Sequence, residues 1–174
     1  HDPWQAVASL LGERPQMVER QMIRPIEGGQ SFASSRAFTP LHTDSQDYRG
    51  VSPLIQVMEC RRAADEGGET ILLDSFDLYA SISRTDPTLA QHIRLTPRSQ
   101  HFYFGNIEGP TLGQKGAHVV FTHSPVEPAD NIGNALKRAF QIAPLIELKA
   151  STGDVLVVDN HRMLHGRRLF KGER

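Results

Sequence analysis

Leu41-His42-Thr43-Asp44 is answered far downstream by Asp159-Asn160-His161-Arg162-Met163-Leu164-His165. Side chains two apart on an extended strand share a face. An extended 41–44 therefore sets an imidazole beside a carboxylate, whereas on a helix the same two positions do not face each other. Two histidines and one carboxylate form a facial triad that suits non-haem Fe(II) and leaves coordination positions open. His42 and Asp44 supply the first two groups of such a set, and His165 is the candidate third. An H-x-D triplet alone is a weak signal, equally met by a surface histidine and a turn aspartate, so the rest of the chain has to carry the reading.

The chain has 174 residues, 39% hydrophobic and 22% charged, which predicts one globular domain with a real core. A formal net charge of −1 gives no general attraction to nucleic acid or an anionic membrane, so neither is expected as a partner. No apolar run is long enough to span a bilayer and no signal peptide is visible. Cys60 is the single cysteine, so no internal disulfide forms, which fits a cytoplasmic protein. The chain starts at His1 and ends at Gly172-Glu173-Arg174, as a piece of a longer protein would.

Turn residues punctuate many short apolar runs. Strands are expected over 17–23, 53–60, 69–73, 99–104, 117–122, 154–158 and 162–165. Helices are expected over 3–11, over 75–83 with Ser75 as cap, over 87–93 behind Asp86-Pro87, and over 131–142. Residues 105–116 read as a glycine-rich hairpin or connection, and 45–50, with Tyr48 and Arg49, as a loop rimming the site. This pattern predicts a mostly β fold with helical decoration, a β-sandwich or jelly roll. No phosphate-binding glycine loop is present.

Three landmarks occur in order: His42-x-Asp44, then Gly67-Gly68-Glu69-Thr70, then Asp159-Asn160-x-Arg162-x-Leu164-His165-Gly166-Arg167. Together they resemble the taurine dioxygenase-like branch of the Fe(II)/2-oxoglutarate-dependent dioxygenases, which includes clavaminate synthase-like and γ-butyrobetaine hydroxylase-like enzymes. The resemblance spans about residues 30–174. It implies a double-stranded β-helix, with His42, Asp44 and His165 as iron ligands. It further implies that Thr70 hydrogen-bonds the distal carboxylate of 2-oxoglutarate and that a later arginine pairs with it. Arg174, nine residues after His165, is the candidate, with Arg168 as fallback. The implied reaction consumes O2 and 2-oxoglutarate, releases succinate and CO2, and oxidises a small polar molecule. A homo-oligomer is compatible with the sequence.

Two rival readings fit the sequence less well. A zinc hydrolase would need a general base near the metal, and no H-E-x-x-H is present. A non-catalytic jelly roll with a structural metal would usually use a closed four-ligand site with cysteines. Arg36 could serve an anionic substrate or a surface ion pair. His161, His92, His101, His118 and His123 are read as structural or surface groups, and Phe102-Tyr103-Phe104 as core and pocket wall.

Overall fold

The structure is a computed structural model that describes residues 3–12, 20–45, 51–102, 105–126 and 130–172. Twelve strands and four helices follow one another within them. Helix α1 spans Pro3–Leu11, α2 Ser75–Thr85, α3 Pro87–Leu95 and α4 Asn131–Ile142. The strands are β1 Thr39–His42, β2 Ile55–Glu59, β3 Glu66–Gly67, β4 Thr70–Asp74, β5 Arg98–Phe102, β6 Gly105–Gly109, β7 Leu112–Lys115, β8 His118–Phe121, β9 Ile146–Leu148, β10 Val155–Asp159, β11 Met163–Arg167 and β12 Phe170–Lys171.

The central antiparallel sheet has the order β1-β11-β4-β9, which puts a strand from each end of the chain side by side. Two-stranded pairings β10-β2, β12-β3, β5-β6 and β7-β8 complete the jelly roll. One face of the central sheet is closed by helices. Ile71, Leu73 and Leu164 pack with Leu78 and Ile82 of α2, Ala90 and Ile93 of α3, and Leu136 of α4. Each leucine or isoleucine side chain among them taken out of water contributes about 1.5–3 kcal/mol. In the ladder His165 lies opposite Leu72, and Arg167 opposite Thr70. Directly opposed residues share a face, so His165, Leu72, Thr70 and Arg167 stand on the face away from those helices.

Several expectations need correction. Asp74, not Ser75, caps α2: its carboxylate accepts from the Phe76 and Asp77 amides, while Ser75 Oγ donates to Arg162 O. Of the two readings of residues 105–116, hairpin or connection, the hairpin holds: they carry β6 and β7, each in a hairpin. Residues 20–23 form no strand, and 17–19 lie outside the described residues. Strand β2, apolar enough in sequence for a buried strand, is half-buried, and among the described residues it pairs with β10 alone. The two glycines of Gly67-Gly68-Glu69-Thr70 have φ of 68° and 74°, and a Cβ on Gly67 would sit 2.1 Å from Leu169 O. Only glycine accepts both that backbone and that approach. The result is a tight turn that starts β4 at Thr70, level with Arg167.

Candidate metal centre

Strand β1 presents His42 directly across from His165 on β11, and the two rings stand 4.3 Å apart between centroids. Asp44 lies beyond the end of β1, so ladder alternation alone does not hold it. Neighbouring segments fix it instead. The Thr43 amide donates to His123 O at 3.0 Å, and Thr43 Oγ1 accepts from the His123 amide at 3.1 Å. The Asp44 amide donates to Asn160 Oδ1 at 2.8 Å, and Asn160 Nδ2 donates back to Asp44 O at 3.0 Å. At Ser45 the chain turns away with φ of 53°.

The carboxylate then straddles the two imidazoles. Asp44 Oδ1 is 3.3 Å from His42 Nε2, and Oδ2 is 3.4 Å from His165 Nε2. One ligand atom from each of His42, Asp44 and His165 falls within 4.8 Å of the others. His42 Nδ1 lies 2.8 Å from Pro40 O and donates to it, which leaves the Nε2 lone pair directed at the cluster. Gln56 Nε2 donates to Asp44 Oδ2.

The charges agree with a metal site. Burial works to raise the Asp44 pKa, but the flanking His165 and His42 outweigh it and hold the carboxyl well below its usual range. Burial, with His42 beside it, pushes the His165 pKa down, so its imidazole is neutral near neutral pH and free to coordinate. Two imidazole nitrogens and one anionic oxygen form the donor set that suits Fe(II), and the residues present fit that ion. Cys60, whose sulfur is 4.0 Å from Ala150 O, is not part of the cluster.

Thr70 is buried on the same face of the sheet as His165, two residues along the ladder. Arg167 shares that level, although so close a position after His165 suggests a side chain aimed away. Its Nη2 is occupied by the carbonyls of Phe32, Ser35 and Ala37, and its guanidinium covers the Phe170 ring. Arg168 pairs with Glu147. Arg36 donates from Nε to Gly172 O at 2.7 Å. Arg174, Tyr48, Arg49, Tyr103 and Phe104 lie outside the described residues.

Of the other histidines, His161 is buried with Nε2 2.7 Å from Ser52 O, and its ring meets His118 edge-on. His123 is buried against Phe140. His92, His101 and His118 are exposed. Sequence reasoning missed Asn160 and Gln56 as neighbours of Asp44. Asn160 lay inside a quoted motif, but its contact with a residue 116 positions away has no local signal.

No curated protein matches the chain. Solved structures do. An asparagine oxygenase in complex with Fe(II), 2S,3S-3-hydroxyasparagine and succinate superposes with a TM-score of 0.66 at 16% identity, over 86% of this chain and 52% of that one. The non-heme iron oxygenase OrfP in complex with Fe and alpha-ketoglutaric acid gives 0.60 at 22% identity, over 86% and 50%. PvcB, an Fe, alpha-ketoglutarate dependent oxygenase from an isonitrile synthetic pathway, gives 0.58 at 20% identity, over 79% and 53%. The chain thus has their fold and spans about half their length. Among the described residues no helix is long and apolar enough to cross a membrane. The family model for Taurine catabolism dioxygenase TauD, TfdA family matches residues 11–145, most of the chain, and to that family the chain belongs.

Proposed function

We propose that the chain carries the metal centre of a non-haem Fe(II)- and 2-oxoglutarate-dependent oxygenase acting on a small polar molecule. The observation that carries this reading is the convergence of ligand atoms of His42, Asp44 and His165 within 4.8 Å of one another. Bound Fe(II) and 2-oxoglutarate would supply the chemistry, using O2 to oxidise the substrate and releasing succinate and CO2. His42 and His165 offer ring nitrogens, and Asp44 offers a carboxylate already ionised. With Asp44 present, hydroxylation or a related oxidation is favoured over halogenation. Thr70 has its hydroxyl on the same sheet face, where it serves as a donor for the far carboxylate of the co-substrate. That carboxylate also needs a cation when withdrawn from water, and Arg174 is assigned to it. The substrate is an amino acid, another small acid or a natural-product intermediate. A cytoplasmic setting belongs to the same reading, with Cys60 kept reduced there.

The test is anaerobic titration of the chain with Fe(II) and 2-oxoglutarate. The expected outcome is joint binding by calorimetry and a weak visible metal-to-ligand charge-transfer band. Absence of both at saturating concentrations refutes the reading.

A further inference from the structure

Asp44 is the one member of the cluster that no strand holds. Three of its backbone and side-chain polar groups are met by two residues outside β1. Asn160, in the turn between β10 and β11, is 1% exposed. Its side-chain amide accepts from the Asp44 amide at 2.8 Å and donates to Asp44 O and Pro53 O, each at 3.0 Å. Its own amide donates to Leu54 O at 2.7 Å. A carboxamide accepts from the Asp44 N–H through its oxygen and has two N–H groups for the two carbonyls, a combination that a single hydroxyl does not offer. Aspartate there would set an acceptor against two carbonyls, and an apolar residue would strand all three backbone groups.

Gln56, on β2, meets the carboxylate itself through Nε2 and Asp44 Oδ2. Its Oε1 is buried with no hydrogen-bond partner among the described residues. Of the two ends of this amide, the donor is the one that meets the Asp44 carboxylate. The Asp44 carboxylate is thereby fixed from behind while its oxygens face the two histidines at 3.3 and 3.4 Å.

We propose that Asn160 and Gln56 are positioning residues for the metal centre: Asn160 fixes the backbone of Asp44, and Gln56 orients its carboxylate. The inference rests on the metal-centre reading above. Groups that orient ligands from behind typically change metal affinity roughly 10- to 100-fold when removed.

The test uses the intact chain, with Asn160→Ala and Gln56→Leu compared with the parent. Fe(II) affinity is measured by anaerobic calorimetry and metal-free stability by thermal unfolding. Each folded variant is expected to bind Fe(II) roughly 10- to 100-fold more weakly at temperatures well below its unfolding. A further comparison separates positioning from general support of the fold. Ni(II), which such ligands bind more tightly than Fe(II), is titrated into Asp44→Ala and into Asp44→Ala combined with Asn160→Ala. If Asn160 acts through Asp44, the two bind Ni(II) equally. A double variant weaker than Asp44→Ala by the full factor overturns the positioning role, as do folded single variants within twofold of the parent. If Asn160→Ala does not fold, Gln56→Leu decides. A parent chain that binds no Fe(II) overturns the metal-centre reading and this inference with it, whereas parent binding with unaffected variants overturns this inference alone.

Discussion

His123 is held neutral by its surroundings. Burial is the main cause, followed by the charges of Arg98 and His42, and together they push its pKa down to about 3. The unfolded chain regains the ordinary value near 6.5. Between these values the unfolded state binds the extra proton, so stability is complete above about pH 6.5 and falls by up to about 1.4 kcal/mol per pH unit below it. His165, also depressed, adds to that slope, and the lowered carboxyls of Asp74 and Asp130 act only below their own ordinary range near pH 4. His123→Gln should flatten the pH dependence of urea unfolding between about pH 4 and 6.5; an unchanged slope would show that His123 titrates alike in the folded and unfolded states. A second residue-scale prediction separates the arginines. Arg168 is occupied by Glu147 at the surface, so Arg168→Ala should leave the KM for 2-oxoglutarate unchanged. Arg174→Ala should raise it roughly tenfold or more, the loss of a charged hydrogen bond worth about 1.5–3 kcal/mol. The reverse pattern in co-substrate titrations would transfer the role to Arg168. His42, Asp44 and His165 were legible because metal ligands must be chemically particular. Asn160 was not, since a carboxamide that clamps a distant backbone has the same sequence signature as a turn asparagine.

At the scale of elements, legibility followed how local the cause was. Helix α3 starts where Asp86-Pro87 says, because Asp86 accepts from the Leu89 amide three residues on. Helix α2 starts one cap earlier than Ser75 suggests, because Arg162 draws Ser75 Oγ away through its carbonyl and Asp74 is left to cap. Strand β9 gave no signal: its three residues are all exposed, and pairing with β4 alone makes it a strand. The junction of β1 and β11 is equally non-local. Gly166 lies there in an ordinary backbone conformation, yet a Cβ would come within 2.6 Å of Thr39 O and 3.1 Å of Ile71 Cγ1. Gly166→Ala must therefore push β1 off β11 and carry His42 with it. The expected result is a loss of about 1–3 kcal/mol in denaturant unfolding, as for overpacking elsewhere, together with weaker Fe(II) binding. Unchanged stability and unchanged metal affinity would mean that the sheet absorbs the methyl group without moving His42.

The whole molecule joins the site through its most distant pairings. His42 and His165 meet only when β1 and β11 pair, and Asp44 meets them only when the 159–161 turn docks on the segments at 43–45 and 52–54. The unfolded chain has no such cluster, so a metal that binds the folded state stabilises it by mass action. With Fe(II) at about a hundred times its apparent Kd the stabilisation should be about 2.7 kcal/mol, and saturating 2-oxoglutarate should add to it. Thermal unfolding should therefore shift upward in their presence, and a chelator should return it to the metal-free value. Asp44→Gly removes the anionic ligand while leaving the helix-packed core untouched, since Asp44 is absent from that cluster. Its metal-free unfolding should stay near the parent's, and its metal-dependent shift should vanish. A shift of full size in Asp44→Gly would mean that the metal binds elsewhere, because a ligand stabilises the folded state only through groups that folding assembles.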